Sequence, residues 1–310
     1  MNIPTNMNDE SLLSDSDILD IVLDKEQEML EAIEDWAEGI INPLIIRGPA
    51  GTGKTESITQ LTRKYGVKSY DYLSSVWDEN GGGVKQLNVV DGALIRSGDY
   101  SNYALFTDLY ANRDSGMLVL DDNDAILKDK EGMALIMKAT EKQVKREVTY
   151  TKILRNDVVK MMNIPPVFKT SCPVAILTNT DFELAIRVAD NDQKTKGKLP
   201  PEHIKRWKAI MSRGQMIDLQ LNTPRAVRVF CEHKIHNVKM LTNSAYLTEK
   251  FGRSLTADEE KELLKWVRFN QGKLSSALDL RTYIKVAEVM LKRKNEWQKS
   301  AEVCFLRSAA

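Results

Sequence analysis

From Asp17 the chain falls into a helical rhythm: Ile18, Ile21, Val22, Met29, Leu30, Ile33 and Trp36 recur at three- and four-residue steps up to Gly39, which suits a helix stop. This predicts an amphipathic helix, preceded by a polar tail rich in Asn, Ser and Asp over the first 15 residues. Pro43 then leads into the short apolar run Leu44-Ile45-Ile46, a glycine-rich loop, and a helical stretch from Lys54 to Lys64, which reads as strand, loop, helix. Two further aliphatic runs, Met117–Leu120 and Pro173–Leu177, are short, apolar on both faces and bounded by polar residues, as buried parallel strands are. Between the loop and the first of these runs lie a Gly-rich stretch, Glu79–Val84, a strand at Leu87–Val90 and a helix around Leu105–Asn112. A last strand is expected at Met216–Leu221, and helix from Pro224 through Val303. The alternation predicts an α/β sandwich with a parallel sheet, followed by an all-helical domain beginning near Asn222.

A chain of 310 residues fits about two folding units. The expected division is a tail and helix over 1–42, an α/β domain over 43–222 and a helical domain over 223–310. Forty-four basic and 44 acidic residues leave no net charge, so any nucleic-acid contact has to come from a local basic patch. Cys172, Cys231 and Cys304 lack the paired spacing of a zinc or redox site and read as reduced core thiols. No stretch reaches the roughly 18 apolar residues of a membrane span, and the N-terminus lacks the features of a secretory signal. The expectation is a cytoplasmic protein that does not enter a membrane.

The strongest chemical signal is Gly48-Pro49-Ala50-Gly51-Thr52-Gly53-Lys54-Thr55. Its glycines let successive backbone N–H groups curl towards phosphate oxygens, and the helix beginning there adds its positive end. Lys54 would reach the β and γ phosphates, and the Thr55 hydroxyl would bind Mg²⁺. The alternative, a chance match, has to account for the strand and helix flanking the loop. A carboxylate on a neighbouring strand is expected, and Leu118-Val119-Leu120 ends in Asp121-Asp122. Asp121 would hold the metal through its water shell and Asp122 would orient and deprotonate the attacking water, unless the two merely form a polar turn.

With these motifs the chain resembles the AAA+ ATPases, a P-loop family, from Pro43 to Ala310. The resemblance implies a three-layer α/β/α core with a parallel sheet, a small helical lid, ATP and Mg²⁺ held between the two domains of one subunit, and a homo-oligomeric ring of six. It assigns the water-positioning sensor 1 to Asn179, in Ile176-Leu177-Thr178-Asn179. The arginine finger, which reaches a neighbouring subunit's nucleotide, falls on Arg213, in Ile210-Met211-Ser212-Arg213, with Arg206 as a second choice. Both arginines could instead pair with surface carboxylates. Sensor 2, an arginine on the lid, falls on Arg281, in Leu278-Asp279-Leu280-Arg281-Thr282, with Arg225 as the alternative. The compact size is similar to that of members carried by bacteriophages, whose location would be the host cytoplasm. One departure is Asp122, where the family carries Glu: the shorter side chain either moves the water or slows hydrolysis.

The implied function is a motor or remodelling ATPase in DNA metabolism, such as replication or recombination. The alternatives are a chaperone-like ATPase remodelling a protein complex and a nucleotide-gated assembly switch with weak hydrolysis. Two segments bear on the choice between a nucleic-acid and a protein substrate in the central pore. Arg146-Glu147-Val148-Thr149-Tyr150-Thr151 and the later Pro165-Pro166-Val167-Phe168 suit a β-hairpin inserted before the sensor 1 strand. Lys142, Lys145, Arg146, Lys152, Arg155 and Lys160 give that segment a basic bias, which either contacts a strand of nucleic acid or is a solvated edge. In the loop Arg96–Tyr103, Tyr100 or Tyr103 either faces a pore or packs on the domain.

Overall fold

The computed structural model describes residues 13–77, 84–152, 164–180 and 201–307, which form two compact units. The larger unit runs from Gln27 to Arg47 and from Gly53 to Leu219; the smaller gathers the described residues up to Glu26, Gly48–Thr52 and the chain from Gln220 on.

Helix α1 (Asp15–Ala37) leads to β1 (Leu44–Arg47) and α2 (Lys54–Lys64). Strands β2 (Lys68–Trp77), β3 (Val84–Asp91) and β4 (Leu94–Ser97) follow, then α3 (Asn102–Ala111) and β5 (Leu118–Asp121). Helices α4 (Asp124–Lys128) and α5 (Lys130–Ala139) precede β6 (Arg146–Thr149), β7 (Val167–Thr170), β8 (Val174–Thr178), α6 (Pro201–Met211) and β9 (Gln215–Asp218). Five of the strands make one all-parallel sheet in the order β4-β5-β8-β1-β9. Every residue of β8 is buried, as are all but the last residues of β1 and β5. Burial on both faces is what a parallel sheet covered by its crossover helices requires, and it explains why these runs read as unbroken aliphatic sequence.

The expected strand at Leu87–Val90 exists, but it belongs to a separate antiparallel pair, β2 with β3. That pair is tied down through side chains that act like backbone. Asn112 accepts from Tyr70 N (2.7 Å) and donates to Tyr70 O (2.9 Å), while Ser69 Oγ exchanges bonds with Met117 N and O. The sheet strand preceding β5 is instead β4, and the expected loop from Arg96 begins inside it. The last strand is shorter than expected, Gln215–Asp218 rather than Met216–Leu221. The expected hairpin is present, with β6 antiparallel to β7. The Gly81-Gly82-Gly83 loop lies outside the described residues.

In the smaller unit the chain from Pro224 is helical: α7 (Pro224–Asn237), α8 (Ala245–Phe251), α9 (Ala257–Asn270), α10 (Leu280–Arg293) and α11 (Trp297–Phe305). Four of these start on a side-chain cap, from Thr223, Ser244, Thr256 and Asp279, and Thr256 forms a full capping box with Glu259. An ion network crosses the unit: Asp15 accepts from Arg225 and Arg228 (both 2.8 Å), and Glu232 pairs with Arg228 and Arg268. Cys172 and Cys231 are buried free thiols, each pushed up to about 12 by burial, whereas Cys304 is exposed. No described helix is long and apolar enough to cross a membrane.

Candidate nucleotide site

The phosphate loop leaves the end of β1. Gly51 and Gly53 take φ of +70° and +90°, conformations glycine adopts without a Cβ penalty. Gly53 is also the N-cap of α2 and brings no side chain to cap it, so nothing on that residue competes for the donors of the first turn.

Three segments of the larger unit meet at the C-terminal ends of the parallel strands. Lys54, buried at the start of α2, donates from Nζ to Asn179 Oδ1 (3.1 Å). Asn179, one residue past β8, donates from Nδ2 to Asp122 Oδ1 (2.8 Å). Thr55 Oγ1 donates to Asp121 Oδ2 (2.8 Å). The carboxylates do not come from the strand next to β1, as expected, because β8 lies between β1 and β5. That intervening strand puts the Asn179 amide where its oxygen faces an ammonium and its nitrogen faces a carboxylate. Asp122 and Asn179 are exposed, so water reaches them, while Lys54 is sequestered.

Asp122 has a positive φ of 51°, a left-handed conformation that Asp tolerates better than most residues. Its N–H still donates to Leu177 O (3.1 Å), so β5 stays locked to β8 through Asp122 and the chain turns only afterwards. Asn123, 1% exposed, holds the turn: its Nδ2 donates to Arg96 O on β4 and to Asp121 O. Arg96 is fixed in turn by a fork onto Asp108 (Nε–Oδ2 2.7 Å, Nη2–Oδ1 3.0 Å) and by Asp71 (2.5 Å). Burial raises the pKa of Asp108, and the Arg96 fork offsets this only in part; in Asp71 burial is outweighed by Arg96 together with the bonds from Ser74, and the pKa is lowered. The sequence reading missed this support. Its members are spread from Asp71 to Asn123, and the one local signal is a pair of polar residues, Arg96-Ser97, ending an apolar run.

Tyr100 donates to Asp108 Oδ2 (2.5 Å), so its hydroxyl is taken up by the domain, and the partly buried Tyr103 packs on the same core. Of the basic segment, Arg146 is buried and bonded to Thr170 O and Cys172 O, and Lys152 is paired with Glu131. Lys142 and Lys145 are exposed; Arg155 and Lys160 lie outside the described residues.

Arg213 sits at the other end of the sheet. It follows α6 and precedes Gly214, whose Cβ, if it had one, would collide with the Pro43 carbonyl ahead of β1. Arg213 Nη1 donates to Met137 O (2.6 Å), and the residue lines an open cavity of about 630 Å³ with Lys142 and Gln215. Ile40 and Val144, 69% and 87% exposed, also line it. A four-residue strand spans about 13 Å, so Arg213 and the Lys54–Asp122 cluster are separated by at least that length of sheet. Arg206 is held by its own chain, bonded to Lys130 O and 4.0 Å from Glu202.

In the smaller unit, Arg281 is exposed in the first turn of α10, and the cap of that helix, Asp279, touches Gly51 of the loop. The alternative, Arg225, is bonded to Asp15 and to Leu13 O.

The chain matches no known protein-family profile. It is 24% identical over 263 residues to an uncharacterised 36.7 kDa protein from the nrdC–mobD intergenic region of Enterobacteria phage T4, a match covering 85% of this chain and 68% of the phage protein. The chain therefore has a phage relative and an α/β fold with a five-stranded parallel sheet.

Proposed function

We propose that this protein is an ATP-hydrolysing AAA+ motor or remodelling ATPase that works as a homo-oligomeric ring in DNA metabolism. The observation that carries the reading is the bonded cluster Lys54–Asn179–Asp122 with Thr55–Asp121, which brings a lysine, a hydroxyl, an amide and two carboxylates suited to a Mg²⁺-triphosphate together from one chain. Mg²⁺, when bound, supplies positive charge to the β and γ phosphate oxygens. Thr55 and Asp121 have the oxygens to hold it, and their mutual bond keeps both aimed at one point. Lys54 neutralises the transferred phosphoryl group. Asp122 takes a proton from water as the water oxygen attacks the γ phosphorus and the bond to the β-phosphate oxygen breaks. Asn179 positions both: it holds the Asp122 carboxylate and turns to the water when Lys54 engages phosphate.

The cluster has no arginine to meet the charge of the transition state. Arg213, at the far end of the same sheet, cannot supply it to its own cluster and is suited to another copy's. Exposed Ile40 and Val144 beside it give the neighbouring copy apolar surface to cover. Among substrates, nucleic acid is favoured over polypeptide: Lys142 and Lys145 are exposed, whereas Tyr100, a possible grip on polypeptide, is spent on Asp108.

The test is steady-state ATPase activity of the protein alone and with single-stranded DNA, double-stranded DNA and unfolded protein. Mg²⁺-dependent turnover stimulated by DNA is the expected result. Stimulation by unfolded protein alone would replace DNA with a protein substrate, and tight binding with negligible turnover would make the protein a switch.

A further inference from the structure

Within the smaller unit, the glycine turn of the phosphate loop meets the capped start of α10. Asp279 caps that helix with one oxygen, Oδ1, which accepts from Thr282 N (2.7 Å) and Thr282 Oγ1 (2.8 Å). The rest of its carboxylate lies on Gly51: a Cβ at Gly51 would stand 2.8 Å from Asp279 Oδ2, 2.9 Å from Asp279 Cβ and 3.0 Å from Cγ. A fixed anionic side chain is thus packed on the loop whose N–H groups would take a second, larger anion. Asp279 is half-buried, where solvent screens a charge less than at a free surface.

We propose that Asp279 is a positioning residue that sets the affinity of the phosphate loop for triphosphate and passes its arrival to α10. The carboxylate opposes triphosphate binding while it rests on Gly51, and bound triphosphate drives it off. Because its other oxygen caps the helix, its displacement moves the first turn of α10, and with it Arg281. The inference rests on the reading of Gly48–Thr55 as a nucleotide site and adds a charge gate and a mechanical link to it. A purely structural cap would behave differently, since Asn and Ser cap helices about as well as Asp and carry no charge.

The test titrates the full-length protein with N-methylanthraniloyl-ATP, comparing wild type with Asp279→Asn, Asp279→Ser, Asp279→Glu and Lys54→Ala. At low salt both neutral variants should bind roughly tenfold more tightly than wild type, and the gain should shrink to roughly threefold at about 0.5 M salt. Asp279→Glu, which keeps the charge, should stay near wild type. Unchanged or weaker binding in both neutral variants, while Lys54→Ala still abolishes it, would overturn the gate and leave the nucleotide site standing. Absence of binding in wild type itself would overturn the site, and the gate with it.

Discussion

At the C-terminal ends of β1, β5 and β8, five polar side chains from three segments are already bonded, from Lys54 through Asn179 to Asp122 and from Thr55 to Asp121. At the N-terminal end of β9, by contrast, Arg213 leans on one backbone carbonyl and faces an open cavity bordered by exposed Ile40 and Val144. One end of the sheet ties its polar groups to one another. The other presents a cation and apolar surface to solvent. The direction of the parallel strands keeps the two apart, so on the proposed reading a single copy would carry both halves of a catalytic site without being able to join them.

Substitutions at the two ends should therefore fail differently. The largest effect is expected from Arg213→Ala: turnover per active site should fall roughly 10³-fold, with ATP affinity within about twofold of wild type. A parallel loss of affinity would mean that Arg213 serves its own site, and the contrast between the ends would collapse. Next, Asp122→Asn should cost about 10²-fold or more in turnover while binding ATP normally, because the amide keeps the Asn179 contact but takes no proton. Normal turnover in that variant would remove Asp122 as the base.

Gly214→Ala tests how the Arg213 end is held. A methyl group there must push β9 away from Pro43 O, with an expected loss of about 2–3 kcal/mol in denaturant unfolding. The smallest effect lies outside both ends, at the α9 capping box. The bond from Arg253 holds Glu259 down to about 2, against burial, with help from the Thr256 N–H. A depressed carboxylate stabilises the fold above its ordinary range and loses that contribution as pH falls through the folded value. Glu259→Gln should therefore be less stable than wild type near neutral pH by about 1 kcal/mol or less. The gap should close as pH falls from about 4.5 to about 2.

The elements were legible wherever they were carried by neighbours in sequence. Gly48–Thr55 between an apolar run and a helix gave β1, the loop and α2, whose span Lys54–Lys64 was as expected. Aliphatic runs ending in Asp121 and Thr178 gave β5 and β8. What was not legible depends on distant partners. β2 alternates without a strong apolar face because it is anchored by Asn112 and Ser69, and β4 ends in Arg96-Ser97 because Asp71 and Asp108 neutralise that arginine. Arg146 looked like part of a basic patch and is instead a buried donor to backbone carbonyls, since a four-residue window does not show which face of β6 turns inward. The strand order, with β8 between the loop strand and the carboxylate strand, is likewise set by the whole sheet and by no local run.

The most direct test of the two-ended account mixes two dead proteins. Lys54→Ala keeps Arg213 but loses its phosphate site; Arg213→Ala keeps the site but loses its finger. If each site is completed by the next copy, an equimolar mixture should recover about a quarter of wild-type ATPase activity, because random assembly pairs an intact site with an intact finger about one time in four. A mixture as inactive as its components, although the two variants assemble together, would contradict the account.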